Sequence, residues 1–153
     1  MANSYTQVYL QFVFAVKYRN AVIAENWETD LYKYITGIVQ NNNHKLICIN
    51  GMPDHIHIFI GMHTTQTMAD LMRDVKANSS KWINDNNLTK EKFEWQKGYG
   101  VFSYSKSHAQ NVINYINNQK KHHQKENFLK EYTNFLEKFG IEYQIEYIFR
   151  ELE

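Results

Sequence analysis

Residues 5–16, YTQVYLQFVFAV, alternate between apolar and polar positions. Val8, Leu10, Phe12, Phe14 and Val16 fall on one face and Tyr5, Gln7, Tyr9 and Gln11 on the other, which predicts a strand with one buried and one partly open face. Over 26–42 the period changes, and Leu31, Tyr34, Ile35, Ile38 and Val39 recur at helical spacing. KLICIN (45–50) reads as a second strand, Gly51-Met52-Pro53-Asp54 as a turn, and HIHIFIGM (55–62) as a third strand antiparallel to the second. Residues 67–84 form a second helix with Met68, Leu71, Met72, Val75, Trp82 and Ile83 along one stripe, opened by a Thr67/Asp70 pair at capping-box spacing. Strand-like sequence follows over 93–105, interrupted by Gly98 and Gly100. A Ser107/Gln110 pair then opens a third helix running to about 124, with Val112, Ile113 and Ile116 as its packing stripe. A fourth helix over 127–139 turns Phe128, Leu129, Tyr132, Phe135, Leu136 and Phe139 inward and ends before Gly140. The tail from 141 to 153 has no single reading. The order of elements predicts an α+β protein with a ferredoxin-like βαββαβ core, an antiparallel sheet and extra C-terminal helices, forming one domain over 1–153. One sheet face would carry helices and the other would be at least partly free for a ligand.

Composition narrows this picture. With 153 residues, 43% of them hydrophobic and 15% aromatic, the chain can bury a core. No apolar run is long enough to span a bilayer and no signal segment opens the chain. The lone cysteine, Cys48, rules out an internal disulfide or a Cys-rich zinc site and is expected to be a buried, inert thiol. These features favour the cytoplasm. Net charge is only +1, but eight Lys and three Glu lie within 88–130, whereas 131–153 holds six Glu against Lys138 and Arg150. A basic middle before an acidic tail suggests a surface for a polyanion as readily as ordinary solvated faces.

The third strand carries the first chemical signal. Ile56, Ile58, Ile60 and Met62 make its buried face, so His55 and His57 point to the opposite face together with Phe59. Two imidazoles roughly 7 Å apart along a strand can converge on one divalent metal; half-exposed surface histidines are the alternative. The third helix carries the second signal. Tyr115 and Gln119 stand one turn apart beside the apolar stripe, and His108 and His122, each seven residues from Tyr115, fall on roughly the same side.

PDHIH on a strand, followed about sixty residues later by a helix with Y-x-x-x-Q, resembles the single-tyrosine HUH transposases: the TnpA-type enzymes of bacterial insertion sequences and the REP-associated tyrosine transposases. KYRNAVI (17–23), KANSSKWIN (76–84) and WQKGYGVFSYS (95–105) extend the resemblance over nearly the whole chain. The resemblance implies a homodimer acting on single-stranded DNA, with hairpin ends of its own element as the expected partner. It also implies His55, His57 and Gln119 as ligands of Mg²⁺ or Mn²⁺ and Tyr115 as the nucleophile that forms a 5′-phosphotyrosine. Histidine ligands tilt the preference toward Mn²⁺. Lys17, Arg19, Arg73, Lys76, Lys81, Lys120 and Lys121 are candidate phosphate contacts, Tyr9 or Phe59 candidate stacking surfaces, and a strand near 99–104 a candidate edge for pairing between subunits. Three alternatives remain: a replication-initiator-like nicking enzyme, a domesticated HUH nuclease, and a non-catalytic ferredoxin-like module that binds nucleic acid.

Overall fold

The computed structural model describes residues 4–123 and 126–144. Four strands, β1 (Tyr9–Ala15), β2 (Lys45–Met52), β3 (His55–Gly61) and β4 (Gly100–Tyr104), form one antiparallel sheet in the order β2-β3-β1-β4. Helix α1 (Glu25–Asn41) links β1 to β2, and α2 (Met68–Asp85) links β3 to β4. Each crossover therefore returns beside a strand other than its own start, which is the split βαβ arrangement expected from the sequence. The C-terminal part adds α3 (Ala109–Asn117), the single turn α4 (Gln119–His122) and α5 (Phe128–Lys138).

The first face of the sheet follows the alternation of β1. Leu10, Phe12, Phe14 and Val16, with Ile56, Ile58 and Ile60, pack under Trp27, Leu31, Ile35 and Val39 of α1 and Leu71, Met72, Val75 and Ile83 of α2. Each of these side chains contributes ~1.5–3 kcal/mol through burial. Thr67 caps α2, accepting a hydrogen bond from the Asp70 backbone amide at 3.1 Å.

The second face is covered, which corrects the expectation of a partly free surface. Val112 and Ile116 of α3 sit on Phe59, and Phe128 and Leu136 of α5 sit on Val13, Ala15 and Phe102. Gln11, His55, His57 and Phe59 are consequently buried, so Phe59 offers no stacking surface. The apolar stripes of the C-terminal helices require such a partner face.

Other boundaries shift for local reasons. The third helix does not run on to 124; it breaks at Asn118, and Gln119 starts the next turn. The Asn50 side-chain amide of β2 donates to the carbonyl oxygens of Ile116 and Asn117, drawing them out of the helical ladder. No capping box forms at Ser107; a short 3-10 turn (Lys106–His108) leads into α3, and the Ser105 and Ser107 hydroxyls bond the ring of His108 instead. Residues 93–99 are not a strand, although Trp95 bridges Val16 and is buried with Phe93. β2 extends through Met52, leaving only Pro53-Asp54 at the tip of the hairpin. Gly51 is required there, because a Cβ would lie 2.2 Å from the His55 carbonyl oxygen. The hairpin thus delivers His55 in a fixed place. Cys48 is half-buried at a bulge in β2, and burial pushes its pKa up to about 11, as suits an unreactive thiol. Residues 145–153 of the tail lie outside the described residues. No helix among the described residues is long and apolar enough to cross a membrane.

Candidate active site

β3 pairs with β1 so that Ala15 faces His55 and Val13 faces His57, in the middle of the sheet. The two imidazoles project to the second face with ring centroids 5.2 Å apart and are fully buried. α5 closes over them. Asn127 caps this helix by accepting from the Lys130 amide, and Phe128, Glu131 and Phe135 face inward at helical spacing. Phe128 stacks on His55 at 4.4 Å, Phe135 lies against His57 and Tyr115, and the Glu131 carboxylate reaches into the centre between them.

Glu131 Oε1 lies 3.0 Å from His57 Nε2, 3.3 Å from His55 Nε2 and 3.0 Å from His123 Nε2. Its Oε2 accepts from the Gln119 amide at 3.0 Å and from the Tyr115 hydroxyl. Gln119 Oε1 is 3.1 Å from His55 Nε2, and His122 Nε2 is 3.4 Å from the Tyr115 hydroxyl. One carboxylate therefore gathers His55, His57, Gln119 and Tyr115, which the sequence placed on two separate elements. On the outer side, Asp54 holds His55 Nδ1 at 2.7 Å and Gln11 holds His57 Nδ1 at 2.9 Å.

Charge follows this geometry. Burial opposes ionisation of Glu131, but the imidazoles of His123, His55 and His57 gathered around it overcome this and hold the carboxyl far below its usual range. Burial likewise opposes a charged His55, yet Asp54 and Glu131 raise it to about 9. For His57 burial wins, and its pKa is lowered. Burial and the neighbouring Glu131 charge raise the Tyr115 hydroxyl well above the ordinary phenol value.

These shifts have a measurable consequence for the metal-free protein. Below about pH 6.5 the unfolded chain protonates His57 while the folded chain does not, so stability rises with pH toward that value. Between 6.5 and about 9 the folded chain keeps the His55 proton that the unfolded chain has lost, so stability falls. The expected melting temperature peaks near pH 6.5 and drops toward pH 9, by up to roughly 3 kcal/mol of stability at 1.36 kcal/mol per pKa unit. A melting temperature that climbs steadily across that window would contradict the His55–Asp54–Glu131 pairing.

The donor set fits a divalent cation. Ligand atoms of His55, His57, His123 and Glu131 all lie within 4.8 Å of one another, close to the ~4.2 Å that separates two ligands across one ion at ~2.1 Å each. His123 Nε2 is buried 3.0 Å from Glu131 Oε1 without an aligned hydrogen bond, which leaves it available as a further cation ligand. Sequence reasoning missed both Glu131 and His123. The signal for Glu131 was an acidic residue inside the apolar stripe of 127–139.

A cavity of about 350 Å³ opens beside the cluster, lined by Gln11, Tyr104, Asn111, Tyr115, His122 and Glu131 among others. The candidate phosphate contacts lie outside it. Lys17 pairs with Glu94, Arg73 with Asp70, and Lys81 with Asp85. Lys76 donates to the carbonyl oxygens of Gln96 and Gly98, and Lys120 to Gly51 while pairing with Glu28. Lys121 is exposed, Tyr9 is half-buried, and Arg19 sits on a turn where Tyr18 and Arg19 both have positive φ.

A family model described as an IS200-like transposase matches residues 4–119. The ISDra2 transposase TnpA of Deinococcus radiodurans is 25% identical over 118 residues, which span 74% of this chain and 84% of that one. A crystal structure of a candidate transposase from Deinococcus radiodurans, 21% identical, matches with a TM-score of 0.64 over 78% of this chain and 95% of the other. The structure of a REP-associated tyrosine transposase bound to a REP hairpin, 13% identical, matches at 0.61 over 80% and 73%. The last two likenesses concern the fold. The family match ends at Gln119, so His123 and Glu131 lie beyond it.

Proposed function

Because this chain belongs to the IS200-like transposase family, we propose that it cleaves and rejoins single-stranded DNA through a covalent bond to Tyr115, with a divalent metal at His55 and His57. The observation that carries the reading is the meeting of Tyr115, His55, His57 and Gln119 around one buried carboxylate, on a face where the sheet alone would have placed only two histidines.

His55, His57 and Gln119 would hold Mg²⁺ or Mn²⁺, which when bound supplies Lewis-acid stabilisation of the charge that builds on the scissile phosphate. The remaining chemistry belongs to the chain. Asp54 and Gln11 orient the two imidazoles from behind. Glu131 Oε2 takes the hydrogen bond of the Tyr115 hydroxyl and so fixes where its lone pairs point. The tyrosine oxygen forms a bond to phosphorus, the bond from phosphorus to the 3′ oxygen breaks, and the hydroxyl proton is balanced by the proton gained at the free 3′-OH. The 5′-phosphotyrosine conserves the phosphodiester bond energy, and attack by a 3′-OH reverses the step without ATP. The sequence carries no Walker-type phosphate loop, in keeping with that economy.

The likeness to a transposase bound to a REP hairpin supports hairpin DNA as the partner, here the hairpin ends of the chain's own element, gripped by basic residues such as Lys17, Arg19, Arg73, Lys76, Lys81, Lys120 and Lys121. One nucleophile per chain and two cleavages per excision favour a homodimer, with β4, an edge of the sheet, as the pairing strand. Single-stranded oligonucleotides carrying the hairpins that flank the gene are expected to be cut in the presence of Mn²⁺ and left intact with a chelator. Light scattering on the same samples should give the dimer mass. Intact oligonucleotides under both conditions would overturn the reading, and a monomer mass with and without DNA would overturn the dimer.

A further inference from the structure

The two histidines are held differently from behind, and the difference has a consequence for loading. His55 Nδ1 faces the Asp54 carboxylate at 2.7 Å. A carboxylate only accepts, so Nδ1 keeps its proton with or without metal, and Nε2 is the nitrogen that gives up its proton to bind a cation. His57 Nδ1 instead faces the Gln11 amide nitrogen at 2.9 Å. An amide nitrogen only donates, so His57 keeps its proton on Nε2, the atom aimed at Glu131 at 3.0 Å. The same Gln11 accepts from the Tyr104 hydroxyl through Oε1 at 3.0 Å. Gln11 is buried, so its polar ends depend on His57 and Tyr104 for their partners.

We propose that Gln11 is the positioning residue that switches His57 between a metal-free and a metal-binding tautomer, by a half-turn of its amide that exchanges its roles toward His57 and Tyr104. The proposal rests on the metal reading above. With a cation on Nε2 the His57 proton must move to Nδ1, where it would meet the Gln11 N–H groups head on. Turning the amide brings Oε1 to Nδ1–H and sends the N–H groups to the Tyr104 oxygen, which can accept them. The ring, the amide and the phenol keep their places and every hydrogen bond is remade with donor and acceptor exchanged. The turn also frees the Tyr104 hydroxyl proton. Tyr104 lines the cavity beside Tyr115, so loading the site gives that cavity a hydrogen-bond donor suited to a phosphate oxygen or a base edge of single-stranded DNA.

Two variants push the switch in opposite directions. Gln11→Glu places an acceptor-only group behind His57, as Asp54 is behind His55, and should leave Mn²⁺ binding at least as tight as in the wild type. Gln11→Leu removes the partner of Nδ1–H and should weaken Mn²⁺ binding by ~10–100-fold, read from the free Mn²⁺ signal by electron paramagnetic resonance, with circular dichroism to verify folding. Nitrogen-15 spectra of the imidazoles give an independent reading. Wild-type His57 should carry its proton on Nε2 without metal and on Nδ1 with saturating Mg²⁺, whereas Gln11→Glu should show Nδ1 already protonated before metal is added. A folded Gln11→Leu protein with wild-type Mn²⁺ affinity, or a His57 tautomer unchanged by Mg²⁺ in a wild type that binds it, would overturn the switch and leave the metal site standing. Failure of the wild type to bind either ion would overturn both. Should the Leu variant fail to fold, the wild-type and Glu spectra still decide.

Discussion

Replacing Tyr115 by Phe is expected to abolish single-strand cleavage altogether while leaving a folded protein that still binds hairpin DNA and Mn²⁺. The substitution removes one oxygen and keeps the ring, which packs against His57 and Phe135. What is lost is the hydroxyl's hydrogen bond to the Glu131 carboxylate. A hydrogen bond to a charged group contributes ~1.5–3 kcal/mol, but Glu131 retains Gln119 and the three imidazoles, so the melting temperature should drop by several degrees at most. Loss of all cleavage against so small a structural change would separate the nucleophile from a merely structural tyrosine. Cleavage by Tyr115→Phe at more than a trace of the wild-type rate would contradict its role.

The second large effect is expected from His55→Ala combined with His57→Ala: loss of both Mn²⁺ binding and cleavage. Stability should also fall here. Both rings are fully buried, and removing them leaves the buried Glu131 charge with fewer partners. Breaking a buried ion pair from one side costs about 3–5 kcal/mol. Adding Glu131→Gln to the double variant removes the stranded charge and should recover part of the melting temperature without recovering any cleavage. That divergence distinguishes a lost metal site from a damaged fold. A double variant that cuts DNA at the wild-type rate would show that the two histidines hold no catalytic metal.

Most of the fold was legible because local pattern and tertiary need agree. The alternation of β1, the helical stripes of α1 and α2 and the turn at Pro53-Asp54 each state their role within a few residues. The second face was misread for a physical reason: alternation in β1 and β3 reports that two faces differ in polarity, and buried Gln11, His55 and His57 look the same in sequence as exposed ones. Only the apolar stripes of α3 and α5 imply that something covers that face. The break at Asn118 was illegible locally because its cause, the Asn50 amide, comes from a strand 66 and 67 residues away from the carbonyl groups it draws out. Within the site, His55, His57, Tyr115 and Gln119 could be picked out by spacing and by likeness to known proteins. Glu131 was harder to pick out, because an acidic residue on a helix is ordinarily solvated, and the one mark that distinguishes this one is its position between Phe128 and Phe135 on the face that docks.

Mass spectrometry of the protein after reaction with a hairpin-bearing single strand and Mn²⁺ decides whether Tyr115 is the nucleophile. The expected product is a tryptic peptide containing Tyr115 with the 5′-phosphate end of the cleaved DNA attached to its oxygen, formed in the wild type and absent from Tyr115→Phe. A covalent adduct mapped to any other residue, or cleavage that proceeds with no adduct in a trapped reaction, would contradict it.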